Sequence, residues 1–437
     1  MRRIEQYQDQ VARLYPVQGA DGQRVLSRPI TFCVTNACQL RCDYCYEQHK
    51  GDEYMDFEVA RKFIDLILSG DKGMSEYVNL DISPAVMLEF IGGEPFLAID
   101  LMDQICDYWI DRCIELRHPW ATRYMISVCS NGVAYFDPRV QGFLARHKDH
   151  LSFSVTIDGT KEMHDACRVF TGTRRGSYDI AVAAARDWME RGGYMGSKVT
   201  IAPNNLSHLY DSIMHMLGLG YAEINANVVY EEGWTIEHAA EYYTQIKRIG
   251  QHLLDSHINM DDVYIALFEE DFFRPKNPSD LENWCGGNGV MIACDWDGRI
   301  YPCIRYMEMS LGNTQPPMVL GNVNDGILQC AEHRTCFDCL RKIDRRTQST
   351  DECFSCPIAE GCSWCTAYNY QVFGTPDARA TYICPMHKAR ALANAWFWPR
   401  YYAMCGSDTP YTLHVPDEWA LEIISPKELS EIKENCS

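Results

Sequence analysis

The chain has 437 residues, a net charge of −20, 46% hydrophobic residues and 23% charged residues. This composition indicates a globular protein of two or three domains and excludes a disordered or collagen-like chain. The acidic balance argues against nucleic acids and anionic membranes as partners, because both are bound by clustered positive charge. There is no run of about 18 apolar residues and no signal-peptide pattern, so the sequence predicts a cytoplasmic protein without a membrane span.

Short apolar runs alternate with segments of helical periodicity from Ile30 onward. The predicted strands are Ile30–Val34, Val86–Ile91, Met125–Val128, Leu151–Ile157, Lys198–Ile201 and Glu223–Val229. The predicted helices between them are Phe57–Leu68, Leu101–Glu115, Pro138–Arg146, Tyr178–Arg191 and Leu206–Leu217. This alternation is typical of βα units around a parallel sheet. Six units are too few for a closed eight-stranded barrel, so we predict an α/β fold with a partial, TIM-like (β/α)6 barrel.

Cysteine is unusually frequent, with 21 residues, of which 13 lie from Cys285 onward. In a cytoplasmic chain such cysteines indicate metal or cluster ligands, or catalytic groups, rather than disulfides. We therefore predict a small cysteine-rich domain after the barrel. The predicted segments are an N-terminal extension (1–29), the partial barrel (30–235), a helical bridge (236–284), the cysteine-rich domain (285–390) and a C-terminal tail (391–437).

Three cysteines, Cys38, Cys42 and Cys45, follow the first predicted strand with C-x3-C-x2-C spacing. Thiolates so close in sequence can converge on one metal centre, and three ligands on a four-iron cluster leave one iron free for a small molecule. A zinc site that uses His49 as a fourth ligand is the alternative. The carboxyl end of a strand is where parallel α/β folds place their active sites, which favours a functional loop.

An aromatic residue, Tyr44, directly precedes the third cysteine, and the loop then resembles the C-x3-C-x-aromatic-C signature of the radical S-adenosylmethionine (SAM) enzymes. The resemblance implies a [4Fe–4S] cluster on the three cysteines, with SAM bound to the open iron. It further implies reductive cleavage of SAM to methionine and a 5′-deoxyadenosyl radical, which abstracts hydrogen from a substrate.

Further segments match the same family in chain order. The second strand ends in Gly92-Gly93-Glu94-Pro95, the third in Cys129-Ser130-Asn131-Gly132 and the fourth near Thr156, and Arg168 follows. Alone, the first segment would be only a turn, and the arginine would equally suit a role in ordering a loop. The residues that the resemblance assigns to SAM are Tyr44, Gly92, Gly93, Glu94, Ser130, Asn131, Thr156 and Arg168.

The cysteine-rich part begins with the C-x12-G-x4-C spacing of Cys285 and Cys303, in which Asp297-Gly298 is a hairpin signal that would bring the two cysteines together. It resembles the SPASM domain of radical SAM maturases, which carries two auxiliary [4Fe–4S] clusters. The resemblance assigns one cluster to Cys353, Cys356, Cys362 and Cys384. It assigns the other to Cys285, Cys303 and Cys365, with Cys294 as candidate fourth ligand.

Two features depart from the SPASM pattern. The last cysteine pair, Cys362 and Cys365, has x2 rather than x3 spacing. An additional group, Cys330, Cys336 and Cys339, has no counterpart in the pattern and no assigned role. A zinc ribbon built from C-x2-C pairs is the alternative for the whole module, but three four-iron clusters would give about twelve irons per chain, which iron analysis distinguishes from stoichiometric zinc.

The two-part layout implies an enzyme that acts on a peptide or protein. We expect a maturase that abstracts hydrogen from a ribosomally made peptide and forms a cross-link, such as a thioether, with electrons from an external reductant such as flavodoxin or ferredoxin. The first alternative is an anaerobic sulfatase-maturating enzyme, which makes formylglycine. That family has an aspartate after its Tyr-Pro-Cys segment, whereas Ile304 follows Cys303 here. The second alternative is a non-catalytic electron carrier, and no catalytic residue is assigned.

Overall fold

The computed structural model describes residues 27–436 except 48–49, 71, 82, 232, 283–284, 286, 288, 290 and 313. His49 and nearly all of the predicted N-terminal extension (1–29) therefore lie outside the described residues. The strands are β1 (Arg28–Thr35), β2 (Leu40–Cys42), β3 (Val86–Gly92), β4 (Tyr124–Ser130), β5 (Leu151–Val155), β6 (Arg168–Phe170), β7 (Gly196–Ile201), β8 (Glu223–Val228), β9 (Tyr264–Ile265), β10 (Ile292–Cys294), β11 (Arg299–Tyr301), β12 (Gly321–Asn322) and β13 (Gly326–Ile327).

Helices cover the strands and fill the C-terminal part of the chain. They are α1 (Phe57–Leu68), α2 (Lys72–Tyr77), α3 (Ile99–Glu115), α4 (Pro138–His147), α5 (Lys161–Cys167), α6 (Tyr178–Glu190), α7 (Leu209–Gly218), α8 (Ile236–Asp255), α9 (Glu308–Leu311), α10 (Ala331–Arg341), α11 (Arg345–Gln348), α12 (Asp351–Phe354), α13 (Thr366–Phe373), α14 (Cys384–Met404), α15 (Asp417–Ala420) and α16 (Pro426–Lys433). Among the described residues, no helix is both long and apolar enough to cross a bilayer.

All six predicted barrel strands form, and they are shared between two sheets. β1, β3, β4 and β5 are adjacent and parallel, whereas β7 and β8 pair in a separate parallel sheet with β9. In the part of the chain that the structure describes, no hydrogen-bonded ladder joins β5 to β7. The fold is thus the predicted α/β partial barrel, divided by a seam between its fourth and fifth barrel strands.

The predicted hairpin does not form a separate sheet. β10 pairs in parallel with β1, opposite β3, and β11, β12 and β13 then extend the sheet in antiparallel order. The turn between β10 and β11 contains Gly298 at φ 90°, a left-handed conformation that favours glycine. The cysteine-rich part therefore continues the barrel sheet at its first strand.

Alternation along each strand separates an apolar outer face from a polar inner face. In β7, Val199 and Ile201 are buried in the core against the helices, whereas Lys198, directly before Val199, is exposed to the interior of the barrel. The same alternation runs through β3, where Leu88 and Phe90 are buried and Glu89 faces inward. The barrel interior is therefore lined by polar side chains.

The two longest helices, α8 and α14, pack together over the predicted bridge and tail. A Cβ at Gly250 of α8 would lie 3.0 Å from the Phe397 ring, so a side chain there would push that ring away and loosen the contact. The aromatic run Trp396-Phe397-Trp398 is buried in this contact, as its composition indicates. The predicted boundary at residue 390 falls inside α14, which begins at Cys384.

Candidate active site

The three-cysteine loop lies at the carboxyl end of β1 and is held by its own short sheet. β2 contains Cys42 and pairs with β6 in antiparallel fashion, with Cys42 opposite Arg168. The Cys38 thiol accepts a hydrogen bond from the Leu40 N–H at 3.4 Å, and the Cys45 N–H donates to the Cys42 carbonyl at 3.2 Å. A long-range strand pair thus fixes the loop, which is what a set of cluster ligands requires.

The thiols of this loop share one buried environment. Burial raises the pKa of Cys38 and raises that of Cys42 to about 11, while Lys50 opposes both shifts and Arg168 opposes the second. The Cys42 thiol lies within electrostatic range of both Cys38 and Cys45. The structure therefore brings the three predicted ligands together beside two cations, which favour their thiolate forms.

Two glycines at the end of β3, Gly92 and Gly93, allow the cysteine loop to approach that strand. A Cβ at Gly92 would lie 2.2 Å from the Thr35 carbonyl oxygen, and one at Gly93 would lie 2.3 Å from the Ala37 carbonyl oxygen. The resemblance assigns both glycines to SAM, whereas in the structure the backbone before Cys38 fills the space beside them. The assignment of these glycines to SAM stays a prediction, and the packing supplies a separate reason for them.

We expect Gly93→Ala to destabilise the protein by about 1–3 kcal/mol, because the new methyl group overlaps backbone that cannot rotate away. Denaturant unfolding at equilibrium measures the change. Gly142→Ala is the matched control, since no described atom lies within 4 Å of its Cβ on α4, and alanine there should stabilise by about 0.5–1 kcal/mol. Equal stabilities of the two variants would contradict the packing argument.

Glu94 is buried and joins the ends of β3 and β4. Its carboxylate accepts hydrogen bonds from the Ser130 hydroxyl at 2.7 Å, the Asn131 N–H at 2.8 Å and the Phe96 N–H at 3.2 Å. Burial raises the pKa of Glu94, and these three hydrogen bonds oppose the shift. The side-chain amide nitrogen of Asn131 lies 3.8 Å from the Cys38 sulfur. One polar network therefore connects Glu94, Ser130 and Asn131, three of the predicted SAM contacts, to the cysteine loop.

Tyr44, Asp158 and Arg168 form a second buried network on the other side of the loop. The Tyr44 hydroxyl donates to the Asp158 carboxylate and accepts from Arg168 Nη1 at 2.9 Å. Asp158 Oδ1 and Arg168 Nε are buried and have no hydrogen-bond partner among the described residues. Because buried polar groups are normally paired, two unpaired atoms at this place fit a polar ligand such as SAM.

A cavity of about 670 Å³ opens from the barrel interior through the seam between β5 and β7. Its volume is typical of a small-molecule site. Thr156, the last predicted SAM contact, lines it, and the Thr156 hydroxyl lies 3.3 Å from the Cys129 thiol. The inward-facing residues that line the cavity are Glu89, Ser127, Cys129, Ser154, Thr156, Lys198 and Asn225.

Sequence reasoning missed the charged groups inside the barrel. Glu89 accepts a hydrogen bond from the Thr31 hydroxyl at 2.7 Å. Burial raises the pKa of its carboxyl, while Thr31 and Lys198 oppose the shift. The sequence did contain a signal, because Glu89 is the single charged residue inside an otherwise apolar predicted strand. A charged residue is rarely buried without a partner, so its position indicates a charged partner inside the barrel.

The second cysteine group contains Cys285, Cys303 and Cys365. A Cβ at Gly287 would lie 3.5 Å from both the Cys285 and Cys303 sulfurs, and the interaction with the Cys365 thiol lowers the pKa of Cys285 to about 5. Hence the hairpin brings together the three cysteines that the sequence assigns to the first auxiliary cluster.

Cys294, the candidate fourth ligand, is not brought to this group. Its thiol is buried in the core and donates to the Asp295 carbonyl at 3.4 Å. The reason is strand alternation: β10 pairs with β1 so that Cys294 lies opposite Phe32 on the apolar face.

The third cysteine group contains Cys353, Cys356, Cys362 and Cys384, as the sequence assigns. Burial raises the pKa of Cys384 to about 12, with smaller contributions from the other three thiols, so these three lie within electrostatic range of Cys384. The x2 spacing after Cys362 leaves Cys365 in the second group and disturbs neither set.

The additional cysteines, which no group assignment includes, lie on α10 and at its amino end. Cys330 caps the amino end of the helix, and Cys336 and Cys339 follow on successive turns. Cys336 packs against the same small cluster as Cys303 and Cys365, which brings α10 next to the second group. The structure assigns no ligand role to the three residues.

The three cysteine groups have the donor chemistry that iron–sulfur clusters require, because such clusters are held by cysteine thiolates. Each of the three groups offers soft thiol donors on structured backbone, so the residues fit iron–sulfur clusters.

No family model matches the sequence. A protein of Methanocaldococcus jannaschii described as uncharacterized is 23% identical over 305 residues, 67% of this chain and 87% of that protein. The Fe-coproporphyrin III synthase of Methanosarcina barkeri is 22% identical over 65% of this chain and 71% of that protein. The serine-type anaerobic sulfatase-maturating enzyme of Bacteroides thetaiotaomicron is 30% identical over 140 residues, which are 30% of this chain and 29% of that enzyme.

Solved structures share the fold at lower identity. Histidine-tagged anSMEcpe with bound AdoMet superimposes with a TM-score of 0.60 and 15% identity over 91% of this chain and 98% of that one. SuiB of Streptococcus suis bound to the precursor peptide SuiA gives a TM-score of 0.55 and 12% identity over 87% and 80%. These matches show that the chain has the fold of anSMEcpe and SuiB, with the three-cysteine loop at the end of β1.

Proposed function

We propose that this chain is a radical SAM enzyme that oxidises a ribosomally made peptide and forms a cross-link in it, such as a thioether to a cysteine sulfur. One observation carries the proposal: the strands that lead to the second cysteine group continue the barrel sheet beside the strand that leads to the first. Extra redox centres next to the active site suit a substrate that must lose an electron as well as a hydrogen atom.

The neighbours support a peptide substrate. SuiB is seen with its precursor peptide SuiA, and anSMEcpe is seen with AdoMet and the Cp18Cys peptide, at a TM-score of 0.58 and 15% identity over 86% of this chain and 99% of that one. The interior of the barrel has room for a peptide side chain and offers hydroxyl, amide and charged groups that orient it.

The proposed cofactors are SAM and three [4Fe–4S] clusters, with a flavodoxin or ferredoxin as external reductant. When bound, the first cluster and SAM supply the one-electron chemistry that removes a hydrogen atom from an unactivated carbon. The chain's own residues hold and orient these groups. Cys38, Cys42 and Cys45 bind the first cluster. Glu94 fixes the ends of two strands, and Arg168 carries a positive charge that suits a carboxylate.

Anaerobic co-expression with short cysteine-containing peptides encoded near the gene tests this function. We expect each modified site to lose about two hydrogens in a form that thiol reductants do not reverse. Co-expression with the Cys42→Ala enzyme is the matched control and should leave the peptides unchanged.

The outcomes separate the alternatives. Conversion of a cysteine or serine to formylglycine would favour the sulfatase-maturating function, although Ile304 stands where that family has its aspartate. Unchanged peptides with an enzyme that still releases 5′-deoxyadenosine would contradict a peptide substrate. A protein that holds iron and never cleaves SAM would be an electron carrier.

A further inference from the structure

An arginine side chain lies against the third cysteine group. Arg379 Nη1 donates to the Cys353 sulfur at 2.8 Å. The guanidinium carbon lies 3.8 Å from the centroid of the Trp364 ring, and Trp364 is itself buried. Stacking on a fixed indole restricts the arginine side chain to few rotamers. The hydrogen bond from its N–H to Cys353 is therefore held in place by the surrounding packing.

The positive charge of Arg379 has no carboxylate partner within 4 Å in the part of the chain that the structure describes, and its Nε is buried without a hydrogen bond. Removing a charged group from water is costly unless a counter-charge is supplied. Arg305, which lies near the second cysteine group, differs in this respect because it pairs with Glu231 at 3.6 Å. Arg379 therefore faces a place where the described residues provide no negative charge.

The thiols of the third group are the groups that Arg379 faces. Burial raises the pKa of Cys362, and Arg379 opposes that shift. Lys388, one turn into α14, opposes the corresponding shifts of Cys356 and Cys384. Two cations thus face four cysteines, and the natural counter-charge is a cluster held by their thiolates.

We propose that Arg379 is the charge partner of the cluster bound by Cys353, Cys356, Cys362 and Cys384 and holds the reduction potential of that cluster less negative. The inference rests on the proposed function, since it requires that cluster. Reduction adds one electron, and therefore one negative charge, to the cluster. A guanidinium that donates to a ligand sulfur stabilises the reduced form more than the oxidised form, because the attraction grows with the negative charge.

A redox titration of the iron-loaded full-length protein, followed by electron paramagnetic resonance, tests this proposal. Signals of the auxiliary clusters are isolated in a background in which Cys38, Cys42 and Cys45 are alanine. We expect Arg379→Gln to shift one auxiliary midpoint potential to a more negative value and to leave the other in place. Arg379→Lys should retain part of the effect, because it keeps the charge and loses the stacked fork.

Arg400→Gln is the matched control, since it removes the same charge from the far end of the helix that begins at Cys384, where Arg400 stacks on Trp396. Loss of about four irons in Arg379→Gln with retention in Arg379→Lys would also support a charge partner. Three outcomes would overturn this inference and leave the proposed function standing. They are unchanged midpoint potentials in both Arg379 variants, an equal shift in Arg400→Gln, and loss of iron in both Arg379 variants. An unmutated protein with only about four irons would overturn the auxiliary clusters, and with them both proposals.

Discussion

Replacing Cys42 with alanine abolishes SAM cleavage, with the formation of 5′-deoxyadenosine reduced by roughly 1000-fold or more. Groups that merely support a metal ligand typically contribute about 10–100-fold, and a direct ligand contributes more. Cys42 has no substitute, because β2 and β6 fix its thiol beside Cys38 and Cys45. Two thiols cannot retain a four-iron cluster that needs three protein ligands.

The measurement is chromatographic detection of 5′-deoxyadenosine after anaerobic incubation with SAM and a strong reductant. The same samples should show iron falling from about twelve to about eight per chain. Cys405→Ala is the matched control, since that cysteine is exposed and lies outside all three groups. Full iron content and undiminished cleavage in Cys42→Ala would refute the assignment of this loop.

Glu94→Gln lowers the affinity for SAM by roughly 10–100-fold and the free energy of unfolding by about 1.5–3 kcal/mol. The carboxylate of Glu94 accepts from Ser130, from the Asn131 N–H and from the Phe96 N–H. A glutamine side chain has the same shape, but its NH2 group would meet one of these donors and leave it unpaired. Both losses have one cause, because the same network positions the end of β4 and the cysteine loop.

Equilibrium dialysis with SAM and denaturant unfolding measure the two effects separately. Glu58→Gln removes the same charge from an exposed site at the start of α1 and should change neither quantity appreciably. A Glu94→Gln protein with unaltered SAM affinity and reduced stability would show that Glu94 only joins the strands. An unaltered stability would contradict the hydrogen-bond network itself.

The barrel strands were predictable because each is an apolar run bounded by turn signals. The predicted bounds of α1 also agree with the structure at both ends. Two features of the sheet were not. β2 and β6 are three residues each, and distant residues pair them, which no local pattern reveals. The parallel pairing of β10 with β1 joins segments more than 250 residues apart and depends on the whole fold.

The candidate site divides in the same way. The resemblance to radical SAM and SPASM sequences assigned the cysteines of the three groups, and that assignment stays a prediction. Cys294 was assigned from its place in the hairpin segment, and its direction followed only from the register of β10 against β1. Arg379 and Lys198 act through space on residues far away in the chain, and a single sequence carries no mark of such contacts.

The ladder between β1 and β10 has a consequence for electron tunnelling. The strand that precedes the SAM-cluster loop and the strand that follows Cys285 are tied by backbone hydrogen bonds, in a register that cannot slip without turning every side chain over. In the proposed enzyme this ladder would keep the first and second cysteine groups at one separation during turnover, which matters because tunnelling rates fall steeply with distance. Any widening of the barrel for a substrate falls instead to the seam between β5 and β7, where the described strands form no ladder to resist it.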